Sequence, residues 1–164
     1  MAAERVVIEM TEYQHTPGID HLREALLLFR SLGMDVAIDD LGQGFSSLRL
    51  WSELRPDLVK IDMHFVHGIH KDPVKLQFLR SIQQIADSCG ARLIAEGIEE
   101  EAELVVLRDL GIAFGQGFLI ASPSEEPVRE TPRAIVDAVR SRGISVFPEL
   151  SRVPTSRKVT PRNC

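Results

Sequence analysis

Short β-branched apolar runs alternate along this chain with segments whose apolar residues recur every three or four positions. RVVIEM at 5–10 predicts a strand, and Ile19, Leu22, Leu26, Phe29 and Leu32 predict a helix over 19–32 that Gly33 stops. MDVAI at 34–38 predicts a second strand, and 46–54 a short helix ended by Pro56. DLVKID at 57–62 predicts a third strand. The segment 73–88 predicts a long amphipathic helix, opened by Asp72-Pro73 and closed by Gly90. ARLIA at 91–95 predicts a fourth strand, 99–110 a helix ended by Gly111, IAFGQGFLI at 112–120 a fifth strand, and 133–141 one more helix. Strands that alternate with helices and read as near-continuous apolar runs imply an α/β fold with a parallel sheet covered by helices. A barrel and an open doubly wound sheet both satisfy this pattern. Past residue 143 the periodicity fails, and SRVPTSRKVTPRNC is polar, basic and proline-containing. The expected division is therefore a folded unit over 1–143 and a linker or disordered tail over 144–164.

The polar residues fall where these strands end. Strand one runs into Glu9 and Glu12, strand two into Asp39 and Asp40, and strand three carries Lys60 and Asp62. Strand four ends at Glu96 and Glu99, and strand five holds Gln116 between two glycines. In any parallel α/β fold these strand ends share one rim, where sites are built. One aspartate at a strand end is commonly a helix cap, but four successive strands ending alike point to a shared site. Several carboxylates facing one another repel, and hard divalent cations relieve that repulsion. Oxygen-rich clusters suit Mg²⁺ or Mn²⁺, and two such ions roughly 3.5–4 Å apart serve phosphate-ester hydrolysis. Lys60 adds one fixed positive charge.

Composition narrows the picture. With 44% hydrophobic and 26% charged residues the 164-residue chain can bury a core. Its net charge of −5 argues against a nucleic-acid polymer as partner. Cys89 and Cys164 form no disulfide framework, which suits a reducing cytoplasm. No apolar run approaches the roughly 20 residues of a membrane span, and Met1 to Arg5 show no signal-peptide core.

Other features carry less. His64, His67 and His70 in HFVHGIH have poor helical spacing for a metal site and read as surface histidines. GQGFSS at 42–47 lacks the third glycine of a dinucleotide fingerprint and the lysine of a P-loop, so Ser46 and Ser47 read as a helix start. Glu100, Glu101 and Glu103 read as a solvated first helical turn, favoured there by the helix dipole.

Five motifs in order carry a family resemblance. IEMTE at 8–12 resembles the E-I-T-E motif of EAL domains, and IDDLGQGFSSL at 38–48 resembles their D-D-F-G-T-G-Y-S-S-L loop. LVKID at 58–62 resembles K-I-D, IAEGIE at 94–99 resembles A-E-G-V-E, and GQGFLIASP at 115–123 resembles Q-G-Y-L-F-S-R-P. The agreement runs across residues 5–127. It implies a modified TIM-barrel fold and hydrolysis of cyclic di-GMP to linear pGpG with two Mg²⁺ or Mn²⁺ ions, within bacterial second-messenger signalling. By matching motif, Glu9, Asp39 and Asp40 look like metal ligands, and Glu12 like a residue that holds the aspartate loop. Lys60 looks like the lysine that orients the attacking water, with Asp40 touching that water. Glu96 looks like a further catalytic carboxylate and Gln116 like a substrate contact.

There are departures. The family's E-A-L segment, with its metal-binding Glu and nearby Arg, and a metal-binding Asn on a following strand have no match. Five strands imply an incomplete barrel, short of about three βα units or roughly 90 residues. Leu41 stands where Phe is usual and Gln43 where Thr is usual. The loop region 41–48 supports dimer contacts in the family, so a homodimer through it is expected, with Gln43 weakening its coupling to the site. The expectation is thus a cyclic-di-GMP phosphodiesterase domain that does not turn over as these residues alone. The alternative is a degenerate module that binds cyclic di-GMP or a protein partner without catalysis.

Overall fold

The computed structural model of the chain describes residues 3, 6–11, 19–41, 47–126 and 130–141. The expectations for Glu12, for the loop at 42–46 with its dimer contact, and for the tail from 142 onward lie outside these residues. Five strands form one sheet: β1 Val7–Met10, β2 Asp35–Leu41, β3 Leu58–Ile61, β4 Arg92–Ala95 and β5 Phe114–Gly115. They pair in the order β1-β2-β3-β4-β5, every pair parallel. The helices are α1 Ile19–Ser31, α2 Ser47–Leu54, α3 Met63–Val66, α4 Pro73–Cys89, α5 Glu101–Leu110 and α6 Arg133–Arg140.

The strand order separates the two folds that the pattern left open. A doubly wound sheet reverses its order at a switch point, whereas here each strand lies beside its predecessor. Crossovers of one hand then set all helices on one face, and the sheet follows the course of a (β/α) barrel. Central β3 is buried at all four positions, Lys60 included.

Helix α4 shows how the sequence encodes the packing. The Asp72 carboxylate accepts from the backbone N–H of Val74 and Lys75, Pro73 fills the first turn, and Gly90 closes the helix in the left-handed conformation. Leu76, Leu79, Ile82 and Ala86 form its buried stripe. Burial of each large side chain is worth about 1.5–3 kcal/mol, and Leu79→Ala would cost about 2–5 kcal/mol. The stripe meets Val59, Ile61, Leu93 and Ala95 of the sheet in the main core, which Leu104, Leu107, Ile135 and Ala138 extend through α5 and α6. A smaller cluster of Leu26, Val36 and Leu54 seats α1 and α2.

Two expectations need correction here. The fifth strand spans two residues rather than 112–120. Beyond it the Ile120 and Ala121 N–H groups both donate to the Gly117 carbonyl, which closes a turn over an apolar run that looks extended in sequence. The segment 63–71, for which no element was expected, forms α3 and a 3-10 turn at Ile69–Lys71. Asp62 caps α3 by accepting from the His64 N–H at 2.7 Å.

Candidate metal and phosphate site

At the carboxyl ends of the strands, one ammonium sits among carboxylates. Lys60 Nζ lies 2.8 Å from Asp39 Oδ1, 2.9 Å from Glu96 Oε1 and 3.2 Å from Glu9 Oε2. Three strands and one strand-to-helix loop supply these groups. Glu9 stands on β1, Asp39 on β2 and Lys60 on β3, while Glu96 directly follows β4, anchored by its N–H to the Ile61 carbonyl. Gln116 directly follows β5 and donates from Nε2 to Glu96 Oε1 at 2.7 Å. The lysine is 11% exposed at its side chain, Asp39 and Glu96 each 16%, and Glu9 49%, so the cluster opens to solvent on the β1 side.

Asp40 joins by a backbone irregularity. Successive side chains of a strand point to opposite faces, so Asp39 and Asp40 cannot share a face in a regular strand. The register of β2 against β3 shifts between Ile38 and Leu41, and Asp40 adopts φ 52°. A bulge of this kind re-aims a side chain, and left-handed backbone at a non-glycine residue is strained. In consequence Asp39, Asp40 and Glu96 each offer a carboxylate oxygen, all within 4.8 Å of one another. The donor set is oxygen only and anionic, which fits a hard divalent cation.

The electrostatics agree. Burial pushes the Asp40 carboxyl above its usual range, and Asp39 and Asp62 push it further against the pull of Lys60. Burial likewise raises Glu96, opposed by its bond to Lys60 and reinforced by Asp39 and Asp40. For Lys60, burial disfavours the charge, but bonds to Asp39, Glu96 and Glu9 more than offset it and hold the ammonium far above its ordinary value. A site with this much anionic character is poised to take up positive charge.

Of the residues expected at the site, Glu9, Asp39, Asp40, Lys60, Glu96 and Gln116 are brought together. The tripeptide Glu24-Ala25-Leu26 occurs in the chain, but it lies inside α1, with Glu24 exposed and Leu26 in the smaller core cluster with Val36 and Leu54. Glu103 corrects the solvated-turn reading: it is 2% exposed. Its Oε1 accepts from Gly68 N–H at 2.8 Å, and its Oε2 accepts from the N–H groups of Glu99 and Glu100, each at 3.0 Å. Burial works against this anion, but the N–H bonds from Gly68, Glu99 and Glu100, with His67 nearby, bring its pKa below the ordinary value. Acidic residues in a first turn look alike in sequence; the capping-box spacing from Glu100 to Glu103 was the available signal. His70 is also no surface residue. Its side chain is 9% exposed, with Nε2 3.5 Å from Glu100, while His67 Nε2 is 3.7 Å from Glu99.

The glycines flanking Gln116 have a steric role. A Cβ on Gly115 would meet the Ile98 side chain at 2.5 Å, and one on Gly117 would overlap the Ile98 backbone. Hydrogen at 117 lets the Gln116 backbone lie against the Glu96 loop, where Ile98 N–H donates to the Gln116 carbonyl at 3.0 Å, while a side chain at 115 would require Ile98 Cδ1 to move. No described helix is long and apolar enough to cross a membrane.

Comparison with known proteins converges on one family. The family model of the EAL domain matches residues 1–123. The chain is 36% identical over 116 residues to the cyclic di-GMP phosphodiesterase PdeR of Escherichia coli, covering 71% of this chain and 18% of that protein. The c-di-GMP-bound form of a standalone EAL protein from Vibrio cholerae superposes with TM-score 0.76 at 28% identity, covering 82% of this chain and 56% of that one. The manganese/c-di-GMP complex of Klebsiella pneumoniae BlrP1 gives TM-score 0.69 at 35% identity, covering 75% and 31%. The chain thus spans about a fifth of its curated relative's length and about half or less of these solved chains. The sheet order, the rim of carboxylates around Lys60 and these matches lead to one conclusion: the chain belongs to the EAL domain family.

Proposed function

We propose that this chain carries part of a cyclic-di-GMP phosphodiesterase site, contributed by the ends of β1 to β5. The observation that carries the reading is the triad of Asp39, Asp40 and Glu96 oxygens beside an ammonium already held by Glu9, Asp39 and Glu96. Glu9, Asp39 and Asp40 would hold Mg²⁺ or Mn²⁺, with Glu96 close enough to share a cation. Bound cations would supply charge neutralisation at the phosphate and a water acidic enough to be deprotonated near neutral pH. Lys60 offsets the carboxylates and donates to the attacking water, and Asp40 accepts from that water. Glu96 keeps Lys60 in place, and Gln116 presents its amide to the dinucleotide. The neighbours solved with c-di-GMP and manganese or calcium support this ligand and this donor chemistry. The packing of Ile135 and Ala138 into the main core supports a domain that extends through α6.

A second reading keeps the ligand and drops the turnover: a module that binds cyclic di-GMP without hydrolysis. It is favoured by the set of carboxylates that converge here among the described residues, Glu9, Asp39 and Glu96 on Lys60 with Asp40 beside them, which lacks a counterpart of the family's E-A-L glutamate. Chromatography of cyclic di-GMP incubated with the chain and Mn²⁺ or Mg²⁺, beside Asp39→Asn and a circular-dichroism control, tests both. Formation of pGpG that Asp39→Asn abolishes establishes the enzyme. Binding without product, lost in the same variant, establishes the module. Absence of both from a folded sample overturns the proposal.

A further inference from the structure

Glu96 and Gln116 are the two outermost groups of the site on the β4–β5 side, and the conformation of the five-residue turn that begins at Glu96 has to be set by something. Glu96 N–H is held by β3, but its Cα lies at the start of an irregular stretch, Glu96 to Glu100, where strand pairing has ended. At Gly97 the chain takes φ 67° and presses on α3, where an added Cβ would stand 2.5 Å from Met63 Cβ. Ile98 is tied to the far side, donating to the Gln116 carbonyl and accepting from Leu119 N–H. The N–H groups of Glu99 and Glu100 point to a single oxygen of Glu103, and the other oxygen of the same carboxylate holds Gly68. One buried anion therefore joins the segment after α3 to the turn that delivers Glu96, and through Ile98 to the backbone of Gln116. We infer that Glu103, outside the site and touching none of its groups, is a positioning residue that sets Glu96 and Gln116 against Lys60 and the acidic triad.

The physical case rests on burial and accounting. An interior carboxylate is expensive unless its lone pairs are occupied, and three backbone donors occupy these. Removing it takes the acceptor from three part-buried N–H groups, two in the turn at Glu99 and Glu100 and one at Gly68. The turn then relaxes by rotating its peptides, and Glu96 lies on the same stretch, three residues before Glu99. Removal of groups that orient metal ligands from behind commonly costs about 10–100-fold in metal affinity.

This inference rests on the metal site proposed above, so the test reads the two separately. Mn²⁺ binding to the 164-residue chain is measured by water-proton relaxation for the parent, Asp39→Asn, Glu103→Ala and Glu103→Gln. Amide spectra of the metal-free proteins follow Gly68, Glu99 and Glu100. We expect Asp39→Asn to abolish site binding, Glu103→Ala to weaken it about 10-fold, and Glu103→Gln, which keeps one acceptor oxygen, to weaken it about 3-fold. The amides of all three residues should move in the alanine variant, with the Glu96 and Gln116 amides following. If Asp39→Asn abolishes binding but folded Glu103→Ala, or folded Glu103→Gln where the alanine variant does not fold, binds like the parent, Glu103 is merely structural and the inference is overturned. If Asp39→Asn binds like the parent, the metal site itself falls, and the positioning role falls with it.

Discussion

Lys60 Nζ and Glu96 Oε1 stand 2.9 Å apart across the β3–β4 boundary, and each is in a chemical state that depends on the other. The glutamate's burial raises its pKa and the lysine counters that, while the lysine keeps its charge in the interior because Asp39, Glu96 and Glu9 surround it. Removing one side leaves the other uncompensated.

Lys60→Met should therefore cost about 2 kcal/mol of folding stability at neutral pH, less than a wholly buried pair because Glu9 is half exposed. The folded lysine's pKa lies above its ordinary 10.5, so its contribution is fully present below that pH and declines only in more alkaline solution. Urea unfolding of parent and variant at pH 7 and above pH 10.5 checks this. Added Mn²⁺ should also stabilise the variant more than the parent, since it replaces the missing charge.

Glu103 predicts the opposite dependence. Its folded pKa lies below the ordinary 4.5, so its stabilisation is complete above that pH and is lost as pH falls through the folded value. The stability difference between parent and Glu103→Gln should be largest near neutrality and shrink progressively below pH 4.5. An acid titration followed by circular dichroism reads the two curves, and parallel curves would remove the account of its three N–H bonds.

Gly97 and Gly68 form a matched pair. Both have positive φ, 67° and 69°, but an added Cβ strikes Met63 at the first and nothing within 4 Å at the second. Gly68→Ala should cost about 1–2 kcal/mol, the backbone cost alone. Gly97→Ala should cost more by at least about 1 kcal/mol for overpacking against α3. Equal losses in denaturant melts would show that α3 yields.

Arg108 should hold α6. Its guanidinium donates to the carbonyls of Ala138 and Ser141 at the end of that helix and pairs with Asp109 at 2.6 Å. Arg108→Ala should loosen α6 by about 1 kcal/mol, read as faster hydrogen exchange over 133–140 with exchange in β3 unchanged.

What the amino-acid sequence determined by itself is local and periodic. Apolar runs bounded by Gly33, Gly90 and Gly111 marked strands and helices because side-chain period and backbone freedom are properties of neighbouring residues. The polar residues ending successive strands exposed the rim of the site, since parallel topology brings like strand ends together whatever the fold. The resemblance of five ordered motifs to EAL domains pointed to the family that the comparisons then showed. Tertiary structure decided the rest. Strand order, which periodicity cannot carry, settled barrel against doubly wound sheet. The bulge that turns Asp40 toward Asp39 and Glu96 depends on how β2 registers on β3, a relation between segments some 20 residues apart. Glu103 reads as one more acid in a charged turn, and only the approach of Gly68 from 35 residues away makes it a buried three-donor anchor. Contacts of that reach arise when the sheet closes its core, so the chemistry of a residue could be recognised in the chain while its role waited for its neighbours.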